Sequence, residues 1–265
     1  MRRAPSTSQE PRSTTWAPCT GAGSSSRIRR RRTRAGAARR LPSDTAPAGV
    51  VYEHVVFDLD GTLIDSRADL AGAVNHVLGT LALPQQPPET LYGYVGEGAR
   101  MLVQRALGPA RADQLDEAVA LFMAHYGAHL LDATRPYPGI VEVLTALEAR
   151  AVALSVLSNK PEAMSRSILE GLGLAHRFVA IIGGNSLPSR KPDPAGLERL
   201  CALTRTPRER MLLVGDSAID VRTARAAEVA FCGVAWGLTP EGLAAAEPER
   251  MIEHPAELIA VVEGE

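Results

Sequence analysis

Five short apolar runs, separated by segments with helical periodicity, constrain the fold more than any other feature of the sequence. The runs comprise residues 54–58, 152–157, 178–183, 211–216 and 230–236. They are apolar at consecutive positions, which is typical of parallel strands that are covered on both faces. Helical patterns lie among them, at 139–150, 162–173, 194–203 and 220–230. The alternation predicts an α/β domain with a doubly wound parallel sheet.

One interval breaks this alternation. Residues 67–134 contain helical patterns but no convincing strand, and they are too long for an ordinary crossover. The interval leaves just after the first strand, so we expect it to lie above the carboxyl edge of the sheet, where open α/β sheets bind ligands. The predicted architecture is a Rossmann-like core, residues 50–66 and 135–265, with an inserted helical cap, residues 67–134.

Residues 1–49 form a different kind of chain, which we predict to be a disordered basic tail. Residues 1–50 carry 11 Arg against two acids, a charge of +9, whereas the rest of the chain carries −10. This part has almost nothing apolar to bury, and such composition predicts disorder. Three interpretations stay open: an organellar transit peptide, a basic arm for nucleic acid or membrane, and an extension without function. Outside the tail, no nucleic acid partner is expected.

The remaining composition excludes several classes of protein. No stretch approaches the roughly 18 apolar residues of a membrane helix, so we expect no membrane span. The three cysteines, Cys19, Cys201 and Cys232, are widely spaced and form no CxxC pair, which argues against a disulfide framework and against a zinc site. This usage predicts a reducing, cytoplasmic location. Nothing in the sequence predicts the oligomeric state.

Polar side chains follow three of the predicted strands at the point where each strand ends. Asp58 and Asp60 come after the first, and Ser158, Asn159 and Lys160 after the second. Asp216 follows the fourth, with Asp220 one helical turn later. Taken alone, each aspartate has a simpler interpretation as a turn residue. Because the carboxyl ends of parallel strands meet at one edge, the set favours a single site.

The two lysines of the chain point to the same place. Among 29 basic residues only Lys160 and Lys191 are lysine, and each stands immediately before a proline in a loop after a strand. Lysine carries a compact and flexible charge, whereas arginine is a planar fork. A tight anion site can require the smaller group. We therefore expect both lysines in the site rather than on the surface.

The mixture of side chains indicates metal-assisted phosphoryl chemistry. Carboxylates about 4 Å apart repel by about 4 kcal/mol at an effective dielectric near 20, so three of them require a cation. Hard oxygen donors without clustered His or Cys favour Mg²⁺, held by Asp58, by Asp216 and by a main-chain carbonyl at Asp60. Ser158, amides near Asn159 and Lys191 would bind the phosphate. Asp58 would attack phosphorus to form an aspartyl-phosphate, while Asp60 moves the proton.

The motifs that carry these residues resemble a known family. In order, DLDGT (58–62), SNKP (158–161), RKPDP (190–194) and GDSAID (215–220) are similar to the four motifs of the haloacid dehalogenase-like hydrolase superfamily. The insert resembles the helical cap of that superfamily. Within it, the stretches DLDGTLIDS, VGEGAR, PYPG, GGNSLPSRKPDP and WGLTPEG are most similar to phosphoglycolate phosphatases. The resemblance covers roughly residues 53–260.

The resemblance implies a role for each matching residue. Asp58 would be the nucleophile and Asp60 the acid and base. Ser158 and Lys191 would bind phosphate, with Asn159 beside them, and Asp58, Asp60 and Asp216 would bind Mg²⁺. Two positions differ from the usual pattern, because Ser158 stands where many relatives have Thr, and Asn185 stands where many phosphoglycolate phosphatases have an acid. Arg100, at a predicted helix start after Gly98, is a candidate for a substrate carboxylate or simply part of a helix terminus.

The sequence favours one function and leaves others open. We predict a phosphoric monoester hydrolase that acts on a small-molecule phosphate ester, with Mg²⁺ as cofactor. The preferred candidate substrate is 2-phosphoglycolate. Another sugar phosphate, pyrophosphate, or a sugar phosphomutase reaction on the same core are the alternatives. A dehalogenase is disfavoured, since that chemistry needs neither the metal nor a second aspartate. A binding protein that uses its basic tail, with the core as scaffold, is the alternative outside enzymes.

Overall fold

A six-stranded parallel sheet is the centre of the structure, a computed structural model that describes residues 51–264. The strands of this part are β1 (His54–Phe57), β2 (Ile64–Asp65), β3 (Arg135–Pro136), β4 (Ala153–Leu157), β5 (Ala180–Ile182), β6 (Met211–Gly215), β7 (Ala230–Val234) and β8 (Met251–Ile252). The order in the sheet is β5-β4-β1-β6-β7-β8, and all neighbours run parallel. All five predicted strands are confirmed. β8 and the small antiparallel pair β2-β3 were not predicted from the sequence.

Within residues 51–264, six α-helices cover both faces of this sheet and four more belong to the insert, residues 67–134. In chain order they are α1 (Arg67–Thr80), α2 (Pro88–Tyr92), α3 (Ala99–Leu107), α4 (Leu115–Ala128), α5 (Ile140–Ala149), α6 (Glu162–Gly171), α7 (Ala195–Thr204), α8 (Ala218–Ala227), α9 (Pro240–Ala245) and α10 (Leu258–Glu263). Val55 packs with α5, α6 and α10, whereas its neighbour Val56 packs with α7, α8 and α9. Successive side chains of a strand point to opposite faces, so both are buried. The predicted doubly wound core is confirmed.

The cap consists of helices α1 to α4, which share a hydrophobic cluster of their own. Leu78, Leu91, Val103 and Phe122 contribute one buried side chain from each helix. Within residues 67–134 the structure has helices and no strand. This separate cluster supports 67–134 as the proposed extent of the cap.

The chain enters and leaves the cap side by side, through the antiparallel strands β2 and β3. Ile64 pairs with Pro136, and Asp65 pairs with Arg135. Asp69, in the first turn of α1, accepts hydrogen bonds from the backbone of Ala133 and from the backbone and hydroxyl of Thr134 at 2.6–3.1 Å. This buried carboxylate therefore joins the segment that enters the cap to the segment that leaves it. The cap therefore stands on the carboxyl edge of the sheet, next to the end of β1.

Two further sequence predictions concern membrane spans and the basic tail. No helix in residues 51–264 combines the length and the hydropathy needed to cross a bilayer. The basic tail, residues 1–49, lies outside the described residues, so its predicted disorder and its role stay predictions.

Candidate active site

The polar residues that follow β1, β4 and β6 meet at one edge because these strands are neighbours in the sheet. Asp58 continues the ladder of β1, and its N–H donates to the carbonyl of Val214 on β6 at 2.9 Å. Ser158 does the same after β4, with its N–H on the carbonyl of Ile182 at 2.9 Å. Asp216 follows β6 directly and is buried. The convergence predicted from the sequence is present in the structure.

Three carboxylates crowd together at this edge. Oxygens of Asp58, Asp216 and Asp220 all lie within 4.8 Å of one another, and all three residues are buried. Burial raises the pKa of Asp58 to about 6, while Lys191 opposes the shift and Asp220 adds to it. Burial, followed by the charges of Asp58 and Asp220, raises the pKa of Asp216 well above its ordinary value. The cluster therefore holds more negative charge than its surroundings compensate.

Lys191 lies between two members of this cluster. Its ammonium is 2.8 Å from Asp58 Oδ1 and donates to Asp220 Oδ1 at 2.6 Å. The other oxygen of Asp220 accepts hydrogen bonds from the backbone and the hydroxyl of Ser217, as part of a capping box at the start of α8. Both oxygens of Asp220 are therefore engaged. No role was predicted for Asp220 from the sequence. Its place in GDSAID, three residues after the N-cap Ser217, is the sequence signal for the capping box.

The side chain of Asp60 lies apart from the carboxylate cluster. Its two oxygens accept hydrogen bonds from the ammonium of Lys160 at 2.8 and 2.9 Å, and the hydroxyl of Ser66 donates to Oδ1 at 2.6 Å. The Lys160 ammonium also lies 4.7 Å from the centre of the Tyr126 ring, a cation–π distance. Each lysine thus holds one aspartate of DLDGT in place. Both carboxylate oxygens of Asp60 are engaged by these bonds. The metal contact predicted at Asp60 would therefore be made by its main-chain carbonyl.

The loop after β4 links the core with the cap. Asn159 donates from Nδ2 to the carbonyl of Lys191 at 3.1 Å and to the carbonyl of Gly96 in the cap at 3.2 Å. Its Oδ1 is buried and has no hydrogen-bond partner among the described residues. Ser158 accepts at Oγ from the N–H of Lys160 at 3.3 Å, and among residues 51–264 its own hydroxyl proton has no acceptor. These atoms are open donors and acceptors next to Asp58.

The carboxylate cluster fits a hard divalent cation. All its donors are carboxylate oxygens, which Mg²⁺ prefers, and a cation would offset the burial and the mutual repulsion that raise the pKa values of Asp58 and Asp216. The backbone is packed closely against Asp216, since a Cβ on Gly61 would come 2.2 Å from Oδ2 and one on Gly237 would come 2.1 Å from its Cβ. Leu238 N–H also donates to Oδ2 at 2.7 Å. Asp216 is therefore held in one place, as a metal ligand must be.

A small cavity lies between this edge and the cap. It contacts Asp58, Asp60, Ser158, Asn159 and Lys160 on the core side and has a volume of about 40 Å³. A water molecule needs roughly 10–15 Å³ by the same measure, so the space suits a small ligand. The cap residues that line it are Leu70, Val95, Gly96, Gly98, Ala99, Leu102, Phe122 and Tyr126. None of these eight is charged.

Two further sequence candidates lie outside the cavity. Arg100 is exposed and pairs with Asp116, at 2.7 Å, on the cap surface. Asn185 accepts the N–H of Glu162 at 2.9 Å, which caps the region where α6 begins. Both residues are near the site in the sequence, but each side chain points to a neighbour outside the cavity and stabilises local structure.

Comparison with known proteins agrees with this geometry. Residues 55–234 match the family model described as haloacid dehalogenase-like hydrolase. A phosphoglycolate phosphatase of Rhodospirillum rubrum is 41% identical over 198 residues, 72% of this chain and 82% of that protein. One of Mesorhizobium japonicum is 36% identical over 204 residues, 76% and 90% of the two chains. A crystal structure from Haemophilus somnus, titled a predicted phosphoglycolate phosphatase, superposes with a TM-score of 0.75 at 32% identity, covering 79% of this chain and 97% of that one. The chain belongs to the haloacid dehalogenase-like hydrolase family.

Proposed function

We propose that this protein is a magnesium-dependent phosphatase that hydrolyses a small phosphate monoester through an aspartyl-phosphate. The preferred candidate substrate is 2-phosphoglycolate. The observation that carries the proposal is the separation of the two aspartates of DLDGT. Asp58 lies in the carboxylate cluster beside Lys191, whereas Asp60 is held two residues away by Lys160 and Ser66. Two carboxyl groups in different surroundings suit two different tasks.

In the first step Asp58 is the nucleophile. One of its carboxylate oxygens forms a bond to phosphorus while the bond from phosphorus to the ester oxygen breaks, and Asp60 gives a proton to the departing alcohol. Lys191 lies 2.8 Å from Asp58, so it can stabilise charge on the phosphate oxygens. The hydroxyl of Ser158 and main-chain N–H groups near Asn159 are the remaining phosphate donors that we assign.

In the second step Asp60 takes a proton from water. The resulting hydroxide attacks phosphorus, the bond between phosphorus and Asp58 breaks, and inorganic phosphate leaves. Lys160 and Ser66 support this role because they fix the direction of the Asp60 carboxylate. Asp60 must be positioned in both steps, and the two fixed donors meet that need.

The metal would be held by Asp58, Asp216 and the main-chain carbonyl of Asp60. Asp220 is left out of this set because Lys191 and Ser217 already occupy both its oxygens. When bound, Mg²⁺ would supply positive charge to the phosphate and lower the repulsion between the phosphate and Asp58. Burial, followed by the charges of Asp58 and Asp220, raises the pKa of Asp216, and a bound cation would offset both causes, which supports the assignment.

The substrate is proposed from the relatives. Both proteins compared above are named phosphoglycolate phosphatase. Another sugar phosphate, pyrophosphate or a phosphomutase reaction are the alternatives. A phosphomutase would convert one sugar phosphate into another with little free phosphate released.

Phosphate release from a panel of esters with Mg²⁺ tests the proposal. We expect release from 2-phosphoglycolate, loss of that release with EDTA, and loss of at least about a thousandfold in Asp58→Asn, since a carboxamide is not a nucleophile. Asp113→Asn, an exposed residue of the cap, is the matched control and should keep wild-type rates. Full turnover by Asp58→Asn would contradict the mechanism.

A cytoplasmic location is proposed from the cysteines. Cys201 and Cys232, the two cysteines of the described part, are both free. Free thiols are usual in a reducing compartment. The basic tail contributes nothing to this argument, because it lies outside the described residues.

A further inference from the structure

One buried hydroxyl on the cap side of the cavity has no acceptor for its proton. Tyr126, on α4, is 1% exposed. The Lys160 ammonium, which can only donate, interacts with its hydroxyl, and within residues 51–264 no acceptor meets the hydroxyl proton. The nearby Lys160 ammonium faces the ring and gives its hydrogen bonds to both oxygens of Asp60. A buried hydroxyl whose proton has no acceptor costs roughly 1–3 kcal/mol, so such a group suggests a missing ligand.

The start of α3 lines the same cavity. Gly98 is the N-cap of this helix with φ +90°, and no side chain caps the helix terminus. Gly96, Gly98 and Ala99 all contact the cavity. The first N–H groups of a helix have no partner inside the helix and carry about half a positive charge, which favours a carboxylate or a phosphate.

The charges of the neighbouring residues decide what kind of group belongs there. Lys160 and Lys191 are each paired with carboxylates, and Arg100 is paired with Asp116 on the exposed surface. The cap lining has no charged side chain. Uncharged donors therefore line the cap side of the cavity, and the guanidinium of Arg190, 3.3 Å from where a Cβ on Gly98 would lie, adds positive charge beside the helix terminus. Apolar neighbours such as Leu102 and Phe122 strengthen such hydrogen bonds by excluding water.

We propose that the hydroxyl of Tyr126 and the first N–H groups of α3 bind the carboxylate of the substrate, while its phosphate lies beside Asp58. This inference rests on the proposed function and names the part of the site that selects the substrate. It replaces Arg100, the candidate from the sequence, with neutral donors. The ligand class is a short ester that carries phosphate at one end and carboxylate at the other.

The test compares two esters of the same length. 2-Phosphoglycolate and ethyl phosphate differ in having a carboxylate or a methyl group at the far end. We expect the ratio of their kcat/KM values to fall about tenfold in Tyr126→Phe, because hydrogen bonds to charged groups have about that effect. Phenylalanine keeps the ring against Lys160, and any effect of the lost hydroxyl on Lys160 that is common to both esters cancels in the ratio. An unchanged ratio in this variant would overturn the inference.

A second variant tests the helix terminus. Ala99→Pro removes one N–H at the first position of α3, where proline is compatible with a helix, and it should also lower the ratio. Arg100→Gln is the matched control next to it and should leave the ratio unchanged. A large fall in Arg100→Gln instead would assign the carboxylate to Arg100 and refute the subsite.

The wild-type enzyme separates the two proposals. Equal kcat/KM for both esters would refute the carboxylate subsite while the phosphatase assignment stands. No phosphate release from any ester with Mg²⁺ would refute the phosphatase, and the subsite with it.

Discussion

His54, the first residue of β1, should make the stability of this protein depend on pH. The side chain is fully buried, with Nε2 2.8 Å from the hydroxyl of Ser155 and Nδ1 3.1 Å from the hydroxyl of Thr204. Burial lowers the pKa of His54 to about 4. Neutral imidazole suits the two hydroxyls, which can each donate or accept. The charged form is therefore disfavoured in the folded state.

The sign and size of the effect follow from the two pKa values. An unfolded histidine has a pKa near 6.5, so between pH 6.5 and pH 4 unfolding takes up a proton and acid favours the unfolded chain. Stability is then complete above the unfolded pKa and falls as the pH drops toward the folded value of about 4. From pH 7 to pH 5 the loss is about 2 kcal/mol, at 1.36 kcal/mol for each pKa unit.

Urea unfolding at pH 7 and pH 5, in the wild type and in His54→Asn, measures this loss. Asparagine cannot titrate, so its free energy of unfolding should change between the two pH values by about 2 kcal/mol less than that of the wild type. Asp58 and Asp216, whose raised pKa values act in the opposite direction, are present in both proteins and cancel in the difference. Identical pH dependence in the two proteins would refute the assigned burial of neutral His54.

Two further substitutions test the support of the site. Lys160→Met leaves the Asp60 carboxylate without its cation and should lower the free energy of unfolding in urea by about 3–5 kcal/mol. Adding Asp60→Asn should recover most of this loss, and no recovery would contradict the pairing. Gly237→Ala places a Cβ 2.1 Å from that of Asp216, so we expect phosphate release to fall by more than about tenfold, with a higher requirement for Mg²⁺. Gly242→Ala, with nothing nearer than 3.9 Å, is its control, and equal effects of the two would exclude the close approach as the cause.

The core was predictable because its signals are local. A strand with both faces covered is apolar at most positions, and Asp58, Ser158 and Asp216 follow such strands directly. Parallel topology then brings these residues to one edge without knowledge of any contact. β8 gives no such signal, since it has two residues at the end of the sheet and one of them, Met251, is exposed.

Side-chain direction was not predictable. Arg100 is the second residue of α3, so sequence distance places it near the cavity, yet the rotation of α3 turns it outward to Asp116. Tyr126 is the reverse case. In the sequence it belongs to a helical pattern and fits plain cap core, and only the fold brings its ring against Lys160 after β4. Contacts between residues far apart in the chain are set by packing, which no local pattern encodes.

The scarcity of lysine has a physical explanation in these contacts. Lys160 and Lys191 are the two lysines of a chain that otherwise uses arginine, and both are buried. Lys191 reaches Asp58 and Asp220 with one nitrogen, and Lys160 reaches both oxygens of Asp60 with one nitrogen while facing an aromatic ring. A single ammonium can take these positions. A planar guanidinium would need additional acceptors for its five N–H groups in a space of this size. Lysine at these two positions therefore reflects the geometry of the site and not the general preference of the sequence.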